Sequence, residues 1–147
     1  MSDVTVYSIS ASWDAAAREG RLANADGSFA VRHAGAPALG GRAGAPNPEE
    51  LLLSGVAACF VQTWAIFLEK LKVSIPAPRL DSTTQLEKDP AGGYRLTRID
   101  LVVHVPASLL SERKADVEKT LALSEKYCIA SKAVKGSVPI TVSSKAV

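Results

Sequence analysis

The chain is poor in the residues that staple or metallate a small fold. It holds two cysteines and two histidines in 147 residues. Two cysteines cannot furnish a four-ligand zinc site, and His33 and His104 stand in unrelated segments. So few cysteines also exclude a secreted disulfide scaffold. Charge of one sign is equally scarce, since seventeen Lys and Arg against fifteen Asp and Glu leave a net charge of +2. A charge so small and scattered argues against nucleic acid or an anionic membrane as a partner. The opening MSDVTVYSIS has neither a basic start nor an apolar core. No signal peptide is therefore read there, and the expected location is the cytoplasm.

What is present is ordinary globular material, with 47% hydrophobic and 22% charged residues, which excludes wholesale disorder. The length favours one domain, residues 1–147, able to bury a core without cross-links. Val4, Val6, Tyr7, Ile9 and Trp13 mark a first strand, and residues 21–25 and 29–33 flank an Asp26-Gly27 turn as a hairpin. Residues 34–46 (AGAPALGGRAGAP) form a loop; no Gly-Lys-Ser/Thr follows, so they make no phosphate cradle.

Residues 51–68 carry no charge, and about 18 apolar residues is the lower limit for a membrane span. Ser54, Gly55, Gln62 and Thr63 interrupt the run. Its start is also that of a globular helix, with Asn47 as N-cap, Pro48 in the first position and Glu50 completing a capping box. A helix over residues 47–73 is predicted, ended by Pro76 and Pro78. Because it has no polar face, protein must surround it. Strands follow at 79–88 and 94–105, the second placing Ile99, Leu101, Val103 and Val105 on one face. A second helix is expected over 111–126, extending through Cys128 towards Lys135, with Leu110, Val117, Leu121 and Cys128 as its apolar stripe. Val138, Ile140 and Val142 alternate as a closing strand. Three strands, helix, two strands, helix and strand define an α+β fold. One small sheet and one shorter helix cannot cover the long helix, so a second copy is expected to do so in a homodimer.

Cys59 lies mid-helix and Cys128 at the far end of the second helix. By composition alone, both read as small buried hydrophobes. A reactive Cys59 would need help, because an unperturbed thiol of pKa about 8.5 is mostly protonated at neutral pH. The dipole of its own helix fades within the first turn, and apolar surroundings raise the pKa. A cation from elsewhere is therefore expected, with Arg18, Arg21, Arg32 and Arg42 as candidates.

Asn47-Pro48-Glu49-Glu50-Leu51-Leu52 followed by Ala57-Ala58-Cys59-Phe60 resembles the signature helix of the osmotically inducible protein C / organic hydroperoxide resistance (OsmC/Ohr) family. The resemblance continues in Ala17-Arg18-Glu19-Gly20-Arg21, in Leu39-Gly40-Gly41, and from Tyr127-Cys128 to Lys135-Gly136-Ser137-Val138-Pro139. It implies the family's fold, an intertwined homodimer and a thiol peroxidase reducing organic hydroperoxides, with hydrogen peroxide as a second substrate. It further implies Cys59 as the peroxidatic cysteine and Cys128 as its resolving partner in an intramolecular disulfide. Arg18 corresponds to the arginine that stabilises the thiolate, and Glu49 to the acid that holds that arginine. No metal or organic cofactor is implied. The reductant would be a dithiol, as on the lipoyl proteins that serve the Ohr branch.

Glu49 precedes Cys59 by ten residues, about 15 Å along one helix, and so cannot reach it directly. Either Arg18 bridges the two or the pair serves a partner chain. Where the family commonly has proline after the second cysteine, this chain has Ile129, and Ala16-Ala17 replaces paired glycines. These departures motivate an alternative, a noncatalytic small-molecule-binding or redox-sensing dimer of the same fold. A cysteine acyl hydrolase lacks a recognisable histidine base.

Overall fold

A computed structural model describes residues 3–147. The chain divides into two compact units, one ending at Leu52 and the other running Leu53–Val147.

The first unit is an antiparallel sheet of β1 (Ser10–Asp14), β2 (Glu19–Ala23) and β3 (Ala30–His33), in the order β1-β2-β3. Between β1 and β2, the Asp14 carboxylate accepts the amides of Ala16 at 2.9 Å and Ala17 at 3.0 Å. This local bonding folds the chain back without glycine. Arg18 closes the turn in the left-handed region, φ 55°, a conformation that costs a non-glycine residue about 1 kcal/mol. Gly20 follows because a Cβ there would collide with the His33 ring and the Ser12 carbonyl. The hairpin expected about Asp26-Gly27 is present, with a turn from Asn24 to Phe29. Asn24 accepts the Phe29 amide through its side chain at 3.0 Å.

The first strand is shorter than its apolar residues predict. Val4, Val6, Tyr7 and Ile9 precede β1 and are exposed. β2 ends at Ala23, the partner of Ser10, and Asn24 then turns away. Residues 4–9 thus have no strand to join among the described residues. The loop over 34–46 contains a 3-10 turn at Pro37–Leu39 and is fastened by Ala34 N–H to the Pro46 carbonyl at 3.1 Å.

Helix α1 (Pro48–Lys70) begins as its sequence dictates. Asn47 Oδ1 accepts the Glu50 amide at 2.8 Å, and Glu50 Oε2 accepts the Asn47 amide at 3.1 Å. The reciprocal bonds satisfy two amides that helix geometry leaves open.

In the second unit, β4 (Leu80–Lys88), β5 (Tyr94–Val105) and β6 (Ile140–Ala146) form a sheet in the order β4-β5-β6. β4 pairs antiparallel with β5, and β6 parallel to it. Ile99, Leu101, Val103 and Val105 are fully buried on one face. Val56, Phe60, Trp64 and Leu68 of α1, spaced four apart, join them in the core with Val117, Leu121 and Cys128. The Trp64 indole donates to Thr120 Oγ1 at 3.0 Å, so its one polar atom is buried at little cost. α1 is long and apolar enough to cross a membrane by length and composition, but this stripe makes it a core helix. Leu52 and Ile66 remain exposed.

The expected second helix is three: α2 (Ala107–Glu112), α3 (Lys114–Tyr127) and α4 (Ile129–Val134). The breaks fall at Arg113 (φ −136°, ψ 36°) and Cys128 (φ −64°, ψ 111°). Arg113 leaves helical geometry while its side chain reaches the carbonyls of Leu71 and Lys72 beyond the end of α1. These carbonyls would otherwise lack partners. Cys128 adopts extended backbone and serves as N-cap of α4.

Asn47→Ala removes the side-chain half of the α1 cap, the bond from the Glu50 amide to Asn47 Oδ1. It should lower stability by about 1 kcal/mol, read as a drop in the urea midpoint at unchanged slope.

Candidate active site

The extended backbone at Cys128 turns its side chain inward, where it is fully buried. Cys59, on the flank of α1 next to the stripe that carries Phe60, is partly buried. The two side chains lie within hydrogen-bonding reach of one another. Ser131, one turn into α4, donates to Cys128 Sγ at 3.1 Å. Thr63 donates to the Cys59 carbonyl at 2.8 Å.

The two thiols are driven in opposite directions. For Cys59, burial pushes the pKa up. The amide of Ala130, the Cys128 side chain, the amide of Ile129 and Thr63 together outweigh it, so the thiol ionises more readily than an ordinary cysteine. For Cys128, burial dominates and raises the pKa despite Ser131, and the neighbouring Cys59 raises it further. Cys59 is thus the more readily ionised of the two thiols and Cys128 the less readily ionised.

Donors of the second unit itself supply thiolate stabilisation to Cys59. The dipole of its own helix is too distant, but the break at Cys128 starts a fresh helix whose first amides favour the anion. Ile129 occupies the first position of α4, so the helix start that proline would impose forms without it. Its N–H, which proline would lack, is among the donors.

In the first unit, Arg18 Nη2 donates to the Gly40 carbonyl at 2.5 Å, and Arg42 Nη1 to the Ala17 carbonyl at 2.9 Å. These exchanged bonds tie the β1–β2 turn to the loop after β3. Glu19 pairs with Arg32 at 3.0 Å and with Arg42 at 3.8 Å. Glu49 Oε2 is shielded and has no hydrogen-bond partner among the described residues. Arg18 and Glu49 are therefore not brought together as an ion pair. Arg21 lies on β2.

His104 is a satisfied strand histidine, its Nε2 2.6 Å from Asp81. His33 is not: its Nε2 is shielded without a hydrogen-bond partner among the described residues, and its ring lies 6.0 Å from that of Trp13. Among the described residues, no cluster of His, Cys, Asp and Glu could hold a metal ion. Phe60 and Trp64 are fully buried. Phe67 meets Tyr127 in a tilted ring pair at 5.6 Å and helps line an apolar groove of about 590 Å³ with Thr63, Ile66, Lys70, Leu123 and Ile129. Thr63 and Ile129 also neighbour Cys59, so the groove adjoins the thiol pair.

Comparison with known proteins identifies the family. The family model for OsmC-like proteins matches residues 40–143, and the chain belongs to that family. It is 29% identical over 125 residues to the organic hydroperoxide resistance protein-like 2 of Staphylococcus epidermidis, covering 84% of each chain. It is 28% identical over 127 residues to the organic hydroperoxide resistance protein of Xanthomonas axonopodis pv. citri, covering 85% of each. The crystal structure of an organic hydroperoxide resistance protein OsmC from Legionella pneumophila superposes with a TM-score of 0.79 at 27% identity. That match covers 98% of this chain and all of the other. The α+β fold is thus the OsmC/Ohr fold.

Sequence reasoning missed Ser131 and the amides of Ile129 and Ala130. Ser131 had a local signal, a serine three residues after a cysteine at a helix start. The amides had none, because their role follows from the break.

Alkylation of Cys59 across a pH series, followed by peptide mass spectrometry, should rise with pH about a midpoint below that of a free thiol. Ile129→Pro deletes one donor while keeping a residue suited to the first helical position, and should move the midpoint upward. An unmoved midpoint would remove the Ile129 amide from the account.

Proposed function

We propose that the chain is a thiol-dependent peroxidase that reduces organic hydroperoxides, with hydrogen peroxide as a second substrate. The observation that carries it is the meeting of Cys59 and Cys128, far apart in sequence, with opposite proton affinities. The Cys59 thiolate attacks the peroxide oxygen, the O–O bond breaks, and the alcohol leaves with a proton. Cys59 becomes a sulfenic acid. Cys128 condenses with it, releasing water and forming an intramolecular disulfide. A dithiol, such as the dihydrolipoyl group of a partner protein, then reduces the bridge and restores both thiols. The apolar groove beside the thiols supports organic over inorganic peroxide.

Arg18 and Glu49 complete the assignment. The partnerless Glu49 oxygen is an acceptor that a guanidinium would satisfy. Arg18 provides one by exchanging Gly40 for Glu49, and so orients the peroxide. The family match crosses the boundary between the units, which supports residues 1–147 acting as one functional domain. The uncovered faces of α1 support a homodimer, with a second copy supplying the cover. We take the protein to work in the cytoplasm, without metal or organic cofactor, nucleic acid or membrane.

Reduced protein treated with one equivalent of cumene hydroperoxide should lose two hydrogens by mass, and Cys59→Ser should abolish peroxide consumption. Unchanged consumption by that variant would overturn the assignment. Oxidation without turnover in dihydrolipoate would favour the redox-sensing alternative. Arg18→Ala should slow the first step about 10–100-fold, the worth of a charge-assisted hydrogen bond, and Glu49→Gln should slow it less.

A further inference from the structure

Cys128 is the more demanding of the two sulfurs. It is fully buried, and to resolve a sulfenic acid it must give up a proton and carry negative charge in that setting. An uncompensated buried charge is costly. Besides Cys59, its sulfur meets Ser131, 4% exposed, whose hydroxyl donates to Cys128 Sγ at 3.1 Å. The bond is set by the backbone, because the extended Cys128 and the first turn of α4 bring positions 128 and 131 onto one side.

We propose that Ser131 is a catalytic residue of the resolving step, holding the Cys128 sulfur in line with Cys59 and stabilising it as negative charge develops there. The proposal rests on the peroxidase assignment above. In the step, the Cys128 proton passes to the departing hydroxyl of the Cys59 sulfenic acid. The Cys128 electron pair forms the S–S bond, the S–O bond breaks and water leaves. The Cys128 sulfur is oxidised and the sulfenic sulfur reduced, with no further reactant. Throughout, the Ser131 hydroxyl keeps donating to the sulfur that loses its proton. The opposed proton affinities of the two thiols accord with this division. Cys59 draws its donors from several residues, whereas the donors that favour charge on Cys128 both belong to Ser131, its hydroxyl and its amide. The titratable groups facing this arrangement are Cys59 on α1 and, around the small cavity that Ser131 lines, Glu125 on α3 and Lys135 after α4.

The cavity supplies the control. Of about 70 Å³, and lined also by Phe60, Ile140 and Val142, it gives room for the extra methyl of threonine. Ser131→Thr therefore keeps the donor, while Ser131→Ala removes it. Reduced wild type and both variants are mixed with cumene hydroperoxide, quenched with acid at short times and weighed, across a pH series. In Ser131→Ala, loss of the Cys59 thiol should match wild type. Bridge formation should slow about tenfold, the scale of one hydrogen bond to a charged atom, and its pH midpoint should rise. Ser131→Thr should restore both rate and midpoint. If Ser131→Ala forms the bridge at the wild-type rate, or slows it without moving the midpoint, the proposal fails while the peroxidase assignment stands. If Cys59 is not oxidised in any of the three proteins, both fail.

Discussion

The interruption of the helical chain at Cys128 is the constraint on which the site depends. One residue with ψ 111° instead of a helical value ends α3, points a thiol into the core and starts α4. Were α3 and α4 continuous, the amides of Ile129 and Ala130 would be spent on carbonyls one turn back. Ser131 would then occupy an ordinary interior position. Breaking the helix there frees donors within reach of Cys59 and makes Cys128 its neighbour. The local geometry of one backbone position thus sets the chemistry of two sulfurs.

The asymmetry between those sulfurs follows from how each is shielded. Both lose water, which disfavours charge, but only Cys59 recovers enough donors to reverse the effect. Members of an equal pair would compete for the same proton; an unequal pair gives each a separate task. The first unit contributes by other means. Its exchanged arginine bonds and its strained turn hold Arg18 on Gly40, while Glu49 presents an oxygen with no hydrogen-bond partner among the described residues.

Much of the fold was legible because its causes are local. Asn47, Pro48 and Glu50 announce the start of α1 within four residues, and the alternation from Ile99 to Val105 identifies β5 and its buried face. The four-residue spacing of Val56, Phe60, Trp64 and Leu68 was harder to see, since apolar residues surround it on every side. Other features depend on distant partners. Val4 to Ile9 carry the composition of a strand, yet β2 turns away at Asn24 and leaves them nothing to pair with. The helical period through Leu121 and Cys128 gives no warning of the break, because Cys128 is apolar enough to continue the stripe. Cys59 and Cys128 were recognisable as a pair only by resemblance. What lowers the first of them depends on backbone orientation, which no residue type encodes.

The two tryptophans are distributed one to each compact unit. Trp13 stands on β1 and is 55% exposed, while Trp64 is fully enclosed with its indole bonded to Thr120. Their fluorescence therefore differs in colour without any label, the solvated ring emitting to the red of the enclosed one. Each unit carries its own optical reporter, so melting of one ahead of the other would separate into two spectral transitions, and a single cooperative block would show one.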